Sequence, residues 1–346
     1  MDYPYVPVVR SASLAGYLDL ASSVGLDARA MLRRAGLSTR SLEDPDTPLS
    51  AVAVRALLEE SALASGLEDF GLRMASRRQF ASLGPISLVL KDEPTARAAL
   101  DTLCRYLRLL NASLLTRVEE HGELLVIREE MLVAQSASTR QSMELAVGVM
   151  YRILRELLGA SWKPVRVCFI HRPPSDSKAH KAFFGASVEF NSEFNGIVCN
   201  AADLQAPLPG NNPEMARFAR QYLDRALSGQ HQSTQATVRQ LIAALLPGGR
   251  CTSQQVAQHL GVDRRTIHRH LASDGESFAT LLQAVRSELV MRQVKDSDLP
   301  LAEVAQLLGF SAPAAFSHWF RSTFGCSVTH WRRQEKAKAA ILQGQP

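Results

Sequence analysis

Apolar residues recur three or four positions apart over much of the first two thirds of the chain, the spacing that predicts amphipathic helices. These segments are residues 11–36, 48–65, 94–110 and 142–158. Short apolar runs typical of strands lie among them, at residues 114–118, 123–128, 165–170, 187–190 and 196–199. His121 and Gly122 separate the first two runs, which predicts a hairpin. The pattern predicts an α+β domain.

The last third of the chain contains an internal repeat. The sequence VAQHLG at residues 256–261 recurs as VAQLLG at residues 304–309, with five of six positions identical at an offset of 48 residues. Each copy predicts a short helix that ends at a glycine, followed by a polar residue that can cap a second helix. The repeat therefore predicts two helix-turn-helix units in tandem.

The first copy predicts a second helix with a basic outer face. Thr252 and Gln255 have the spacing of a capping box at the start of the first helix. Asp263 is the expected cap of the second helix, in which Ile267 and Leu271 face inward because they lie four residues apart. The side chains left to point outward are those of Arg264, Arg265, His268 and Arg269. A helix-turn-helix presents its recognition helix to the major groove in this way.

The second copy is less basic on its outer face. Phe316 and Phe320 are the expected inward pair, and Pro313 fits the first helical turn because its missing N–H has no partner there. Proline also disfavours helical geometry at Ala312, so this helix is expected to begin one residue later than its counterpart. The outward candidates are Ala314, Ser317, His318 and Arg321.

A polar segment divides the chain. Asn212, Pro213 and Glu214 predict the start of a helix that runs to about residue 227, and the sequence SGQHQSTQ that follows has no apolar anchor. We predict three regions: an α+β domain at 1–227, a linker at 228–236, and an all-α domain at 237–346. In the last, helix-turn-helix units at 253–272 and 301–321 are joined by a long helix at about 278–295.

Charge is unevenly distributed between these regions. The length of 346 residues suggests two domains, and the net charge is +5. Residues 1–230 contain 26 Lys and Arg and 26 Asp and Glu, whereas residues 231–346 contain 13 and 8. The whole excess therefore lies in the last third, which favours a polyanionic partner there. The alternative is a solvated surface whose asymmetry has no function.

Other classes of function find little support in the sequence. The five cysteines are scattered without a C-x-x-C pair, which argues against disulfides or zinc and favours a reducing cytoplasm. No signal peptide, membrane span, nucleotide-binding motif or catalytic motif is visible, so neither cofactor nor metal is expected. His171 and His180 lie near Asp176, but residues 172–178 (RPPSDSK) between them are typical of a polar loop. Cys168 and Cys199 lie in apolar runs and are expected in the core.

The repeat region resembles the DNA-binding domain of the AraC/XylS family over about residues 237–333. Residues 309–311 (GFS), Phe316, Phe320 and residues 324–325 (FG) stand where the family pattern places them. Departures are Val328, where proline is usual, and His318, where a basic residue is frequent. The resemblance implies two helix-turn-helix units, with base-reading positions at Arg265, His268, Arg269, Pro313, Ala314, Ser317 and His318.

The stretch at about residues 16–215 resembles the arabinose-binding-like domain of one AraC subgroup. The resemblance rests on stretches such as FGLRMA, LGPISLVLKDEPTARAAL and HKAFFGASVEFNSEFNGIVCN. It implies a transcription regulator with promoter DNA, RNA polymerase and a small-molecule effector as partners, and a homodimeric state. A sugar effector is not implied. Two alternatives stay open: a ligand-independent regulator whose first domain only contacts proteins, and an enzyme that carries a DNA-binding domain.

Overall fold

A computed structural model divides the chain into two compact units, residues 1–230 and 231–346. It describes residues 7–131, 138–210, 212–229, 234–246, 251–260, 262–296 and 300–332. The first unit combines helices with a β-sheet, and the described part of the second unit is helical. The α+β prediction for the first unit and the helical prediction for the second are confirmed. Among the described residues, no helix is both long and apolar enough to cross a bilayer.

The helices of the first unit include four that the sequence did not predict, α4, α5, α8 and α9. They are α1 (Tyr17–Ser23), α2 (Ala28–Arg34), α3 (Ala51–Ser65), α4 (Phe70–Ser76), α5 (Pro85–Lys91), α6 (Ala96–Leu110), α7 (Arg140–Leu158), α8 (Lys178–Phe184), α9 (Ala201–Leu204) and α10 (Pro213–Gly229). The predicted helical segment 11–36 is interrupted, because Gly16 and Gly25 have positive φ values of 80° and 78°. A 3-10 turn at Ser11–Leu14 precedes the two helices.

Two sheets accompany these helices. Their strands are β1 (Val8–Arg10), β2 (Pro48–Ser50), β3 (Leu114–His121), β4 (Leu124–Met131), β5 (Arg166–Cys168), β6 (Ser187–Glu189) and β7 (Asn195–Asn200). β1 pairs with β2, and the larger sheet has the order β3-β4-β7-β5-β6, in which only β5 and β6 are parallel. The hairpin predicted at His121 and Gly122 is confirmed. The segment predicted as a helix from residue 48 begins instead with β2.

The main core lies between the larger sheet and α6 and α7. Ile127 and Ile197 from the sheet belong to the same buried cluster as Leu103 and Leu154 from the helices. Cys168 and Cys199 are buried, as expected. A second cluster packs α1, α2 and α3 against α4.

α4 crosses α7 at very close range. A Cβ atom added to Gly71 of α4 would lie 2.0 Å from the Gln141 carbonyl oxygen, so the backbones approach as only glycine permits. The Gln141 side chain fixes the crossing, since its Oε1 accepts a 2.8 Å hydrogen bond from the Gly71 N–H. Its Nε2 donates to the carbonyl of Glu68 at 3.0 Å. At this crossing the backbone of α4 is therefore fixed directly on the start of α7.

The helices of the second unit fall close to their predicted positions. They are α11 (Thr234–Leu245), α12 (Ser253–Leu260), α13 (Arg264–Ser273), α14 (Phe278–Asp296), α15 (Leu301–Leu307) and α16 (Pro313–Phe324). Both ends of the predicted linker 228–236 are helical, because α10 extends to Gly229 and α11 begins at Thr234; residues 230–233 lie outside the described ranges. Gly261, the expected end of α12, is also outside them.

α14 contributes to two hydrophobic groups within the second unit. At its start, Leu281 and Val285 are buried, and α11 packs against α12, α13 and α14. Near its end, Val290 belongs to a cluster with Val304 of α15, Phe316 and Phe320 of α16, and Val328. Val328, at the position where the family pattern has proline, is therefore a core residue.

Candidate functional site

The start of α13 is fixed by a capping hydrogen bond. The Asp263 carboxylate accepts a 2.7 Å hydrogen bond from the backbone N–H of Thr266, and its backbone is extended at φ −78°, ψ 158°. That bond holds the pKa of Asp263 below its ordinary value. The predicted cap is confirmed, and so is the capping box of α12, in which Gln255 N–H donates to Thr252 Oγ1 at 3.2 Å.

α13 presents a basic face to solvent. Ile267 and Leu271 are completely buried on the opposite face, so the rotational setting of the helix follows from their packing. The side chains predicted to point outward are all exposed: Arg264, Arg265, His268 and Arg269. None of the three arginines forms a side-chain hydrogen bond or ion pair with another residue within the described ranges. Their donors therefore face water and are free to bind an anionic partner.

α16 presents a more neutral face. Phe316 and Phe320 are completely buried, as predicted. The start is also as predicted: Ala312 is extended at φ −148°, ψ 145°, and the helix begins at Pro313, one residue later than the 48-residue offset from α13 would give. The predicted contact residues are exposed: Pro313, Ala314, Ser317, His318 and Arg321. Arg321 is the one cation among these five.

Arg286 of α14 contacts the turn between α15 and α16. Its Nε donates to the Leu308 carbonyl at 3.1 Å, and its guanidinium lies 4.5 Å from the centre of the Phe310 ring. Burial lowers the pKa of Arg286. This side chain therefore ties α14 to the turn between α15 and α16.

His171 and His180 flank the predicted polar loop, which the structure shows without helix or strand at residues 172–177, and both rings approach one carboxylate of α7. His180 belongs to α8 and is completely buried, as is Glu144 of α7. The Glu144 Oε1 atom lies 3.2 Å from His180 Nε2 and 3.3 Å from His171 Nε2. Burial lowers the pKa of His171. No group of three or more potential ligands suited to a metal ion is found in the described part of the chain.

A cavity of about 120 Å³ lies in the first unit, between β1, α3, α6, α7 and the β3–β4 hairpin. Sequence reasoning did not locate it. Its charged lining residues include Arg78, which follows α4, and Glu129 of β4. One signal was present: Glu129 is two residues beyond Ile127 in a strand, so alternation places an acid on the apolar face. Arg78 had no comparable signal.

A helical unit that presents guanidinium groups from the second helix of a helix pair is typical of DNA-binding transcription regulators. Comparison with known families agrees with that class. Residues 25–208 match the arabinose-binding domain found at the N-terminus of AraC transcription regulators, and residues 256–334 match a helix-turn-helix domain. The chain belongs to the AraC family of transcription regulators. Its domains and relatives are those of regulators and not of enzymes.

Individual relatives share this organisation over nearly their whole length. The chain is 27% identical to the HTH-type transcriptional regulator VirS of Mycobacterium tuberculosis, over 94% of this chain and 96% of that protein. It is 25% identical to the ornithine utilization regulator of Pseudomonas aeruginosa, over the same shares. The crystal structure of the transcriptional regulator CdpR from Pseudomonas aeruginosa matches with a TM-score of 0.43 and 19% identity, covering 88% of this chain and 96% of that one.

Proposed function

We propose that this AraC-type regulator binds promoter DNA through two helix-turn-helix units joined by α14, and that its first unit makes binding responsive to a small effector. The units are α12 with α13 and α15 with α16. The observation that carries the proposal is the exposed basic face of α13 on a capped helix whose other face is buried. The 48-residue repeat supports a second unit of the same kind.

The two recognition helices, α13 and α16, would make different contacts with the DNA. With successive major grooves about 34 Å apart, α13 and α16 would enter two grooves on one face of the duplex. Arg265 and Arg269 would each read a guanine through O6 and N7, and His268 would add a further contact. From α16, Ala314, Ser317 and His318 would lie along base edges. Arg264 and Arg321 would hold phosphates and fix the register.

The experiment that tests DNA reading is selection of bound sequences from a randomised duplex library with the full chain. A bipartite motif with subsites separated by about one helical turn is expected. Enrichment of no motif, or of a single compact subsite, would contradict the two-unit proposal. Regulation would take place in the cytoplasm, at promoters contacted by RNA polymerase.

Effector response is supported by the cavity in the first unit, since ligand sites in proteins are concave, mostly apolar and carry a few polar groups. A ligand that binds one conformation better than another shifts the population between them. The alternative is a ligand-independent regulator whose first unit only contacts proteins. That alternative predicts no change in promoter affinity with any small molecule that stabilises the protein.

Self-association is supported by the surface of α10. Met215, Phe218 and Tyr222 lie three and four residues apart, so they share one helix face, and they are 49%, 54% and 61% exposed. Large apolar side chains exposed together are typical of protein interaction surfaces. We propose that this stripe forms a homodimer contact.

A further inference from the structure

The cavity of the first unit is unsuited to a sugar. Of the 25 described residues that line it, 16 are apolar. A pentose would bury several hydroxyl groups there, and each buried hydroxyl without a hydrogen-bond partner is costly. The volume of about 120 Å³ is close to that of cavities that hold a single benzene ring. Size and lining therefore favour a small molecule with an apolar body.

Arg78 gives this apolar lining an uncompensated positive charge. Its Nη1 atom is buried and makes no hydrogen bond, and none of the described acidic side chains forms an ion pair with it. Burial and the nearby charge of Arg10 lower the pKa of Arg78 to about 10, so it remains cationic at pH 7. A partly buried guanidinium without a counter-ion is unfavourable, and an anion that binds beside it would be favoured.

The other charged groups of the lining do not supply the missing negative charge. Arg10 pairs with Asp46, and Arg55 donates to the Ser138 carbonyl at 3.0 Å. Glu129 is completely buried, and burial raises its pKa to about 8, so its carboxyl is mostly protonated at pH 7. The net charge of the lining is therefore positive.

We infer that this cavity binds a small organic carboxylate with an apolar body the size of one ring or a short chain, held by an ion pair with Arg78. This inference rests on the proposed effector response. The carboxylate would accept hydrogen bonds from the Arg78 guanidinium, and the apolar body would lie among side chains of α3, α6 and α7 such as Val54, Leu107 and Val149. A cationic ligand would be repelled by the same guanidinium.

The test uses the full chain and four probes of similar size: benzoate and hexanoate as carboxylates, benzyl alcohol as a neutral analogue, and benzylamine as a cationic one. Thermal unfolding is measured at constant ionic strength, because a ligand of the native state raises Tm with concentration. The carboxylates are expected to raise Tm, and the alcohol and the amine are not. Equal stabilisation by alcohol and carboxylate, or none by either carboxylate, would overturn the inference.

Variants locate the binding site. Arg78→Gln should weaken carboxylate binding about tenfold or more, as expected for a charge-assisted hydrogen bond, whereas the matched control Arg77→Gln, at the exposed neighbouring position, should bind as the parent does. Ala146→Leu, which fills the cavity and keeps Arg78, provides a second variant if Arg78→Gln does not fold. Retained affinity in both folded variants would place the site elsewhere.

Promoter affinity, measured on the same samples, separates this inference from the proposed function. Carboxylate binding lost in Arg78→Gln with no change in promoter affinity would keep the cavity assignment and reject effector response. A promoter response that survives in Arg78→Gln would keep effector response and reject the cavity assignment.

Discussion

Single residues determine which side chains α13 presents to solvent. Asp263 fixes the first turn, and Ile267 and Leu271 fix the rotation, so the arginines emerge on one face. Each of these features follows from local sequence: a capping residue, an apolar pair four apart, and the remaining side chains outside. The sequence was sufficient here because helix caps and helix faces depend on neighbours within a few positions.

Arg265→Ala and Arg269→Ala are each expected to relax sequence preference at one base pair. A bidentate arginine–guanine contact contributes about 1–3 kcal/mol of discrimination. Band-shift titrations against the selected operator and its single-base variants would measure this. Arg33→Ala, an exposed arginine of the first unit, is the matched control. Equal loss of affinity for all sequences would indicate phosphate contacts instead.

Glu129 is a residue whose behaviour the local sequence does not predict. Its pKa depends on burial by residues that are far from it in the sequence. Burial raises its pKa to about 8, so between its ordinary value and pH 8 the native state holds a proton that the unfolded chain has released. The contribution of Glu129 to the free energy of unfolding is therefore fully present below its ordinary pKa. It is lost as the pH rises through the native pKa of about 8. Its size is on the order of a few kcal/mol at most, since one pKa unit corresponds to about 1.4 kcal/mol.

Glu129→Gln is accordingly expected to flatten the decline in stability between pH 5.5 and pH 8.5, because the amide cannot ionise. Urea unfolding at both pH values would measure the slope. Glu130→Gln, on the same strand but paired with Arg117, is the comparison variant. A slope unchanged from the parent in Glu129→Gln would show that another group controls the decline.

At the scale of elements, the long periodic segments were predicted and the short ones were not. α6, α7 and α14 fall within a few residues of their predicted bounds, because each buries one face over several turns. α4 and α5 have seven residues each, about two turns, too few to give a clear period. The close crossing of α4 and α7 depends on Gly71, and a glycine has no apolar side chain by which a periodicity could reveal it.

The local sequence predicts the turn between α15 and α16, but it does not predict the contact that this turn makes with α11. Gly309 was expected to end the first helix of the pair, and it does so at φ +71°. A Cβ atom at this position would also lie 2.8 Å from the carbonyl oxygen of Leu246, at the end of α11. The turn therefore depends on glycine for conformation and for space.

Gly309→Ala is expected to destabilise the protein more than Gly325→Ala. Both glycines have φ near +70°, so both variants incur the strain of a left-handed alanine, about 1 kcal/mol. Gly325 has open space around its Cα, whereas Gly309→Ala adds a steric clash typically worth about 1–3 kcal/mol. Urea unfolding of the two variants gives the difference directly. Equal destabilisation would mean that α11 moves away without cost.

At the scale of the whole molecule, the excess of basic residues and the proposed ligand and dimer sites lie in different units. The basic excess lies in the second unit, whereas the cavity and the α10 stripe of Met215, Phe218 and Tyr222 lie in the first. The charge asymmetry could be counted from the sequence. The cavity could not be predicted, because it arises where β1, three helices and a hairpin meet, and those elements are far apart along the chain.

If the α10 stripe forms a homodimer contact, polar substitutions in it should change the oligomeric state. Phe218→Ser with Tyr222→Ser is expected to convert a dimer into a monomer at micromolar concentration, because these side chains are more than half exposed in the single chain and would be buried between two. Light scattering after size-exclusion chromatography would report the mass. Gln221→Ser and Arg225→Ser, exposed on the same helix, form the control pair. A parent protein that is monomeric would remove this role for α10.

Arg286 has a consequence for promoter architecture. Because it joins α14 to the turn ahead of α16 by a hydrogen bond and a ring contact, the position of α16 relative to that long helix is set by the protein. If α13 and α16 both contact bases, as we propose, an operator must match the distance between them. Five extra base pairs between its two halves, about half a turn of the duplex, would bring one half to the far side of the DNA, and binding should fall to the level of a single half. Ten extra base pairs would restore the facing but not the distance, so affinity should not recover.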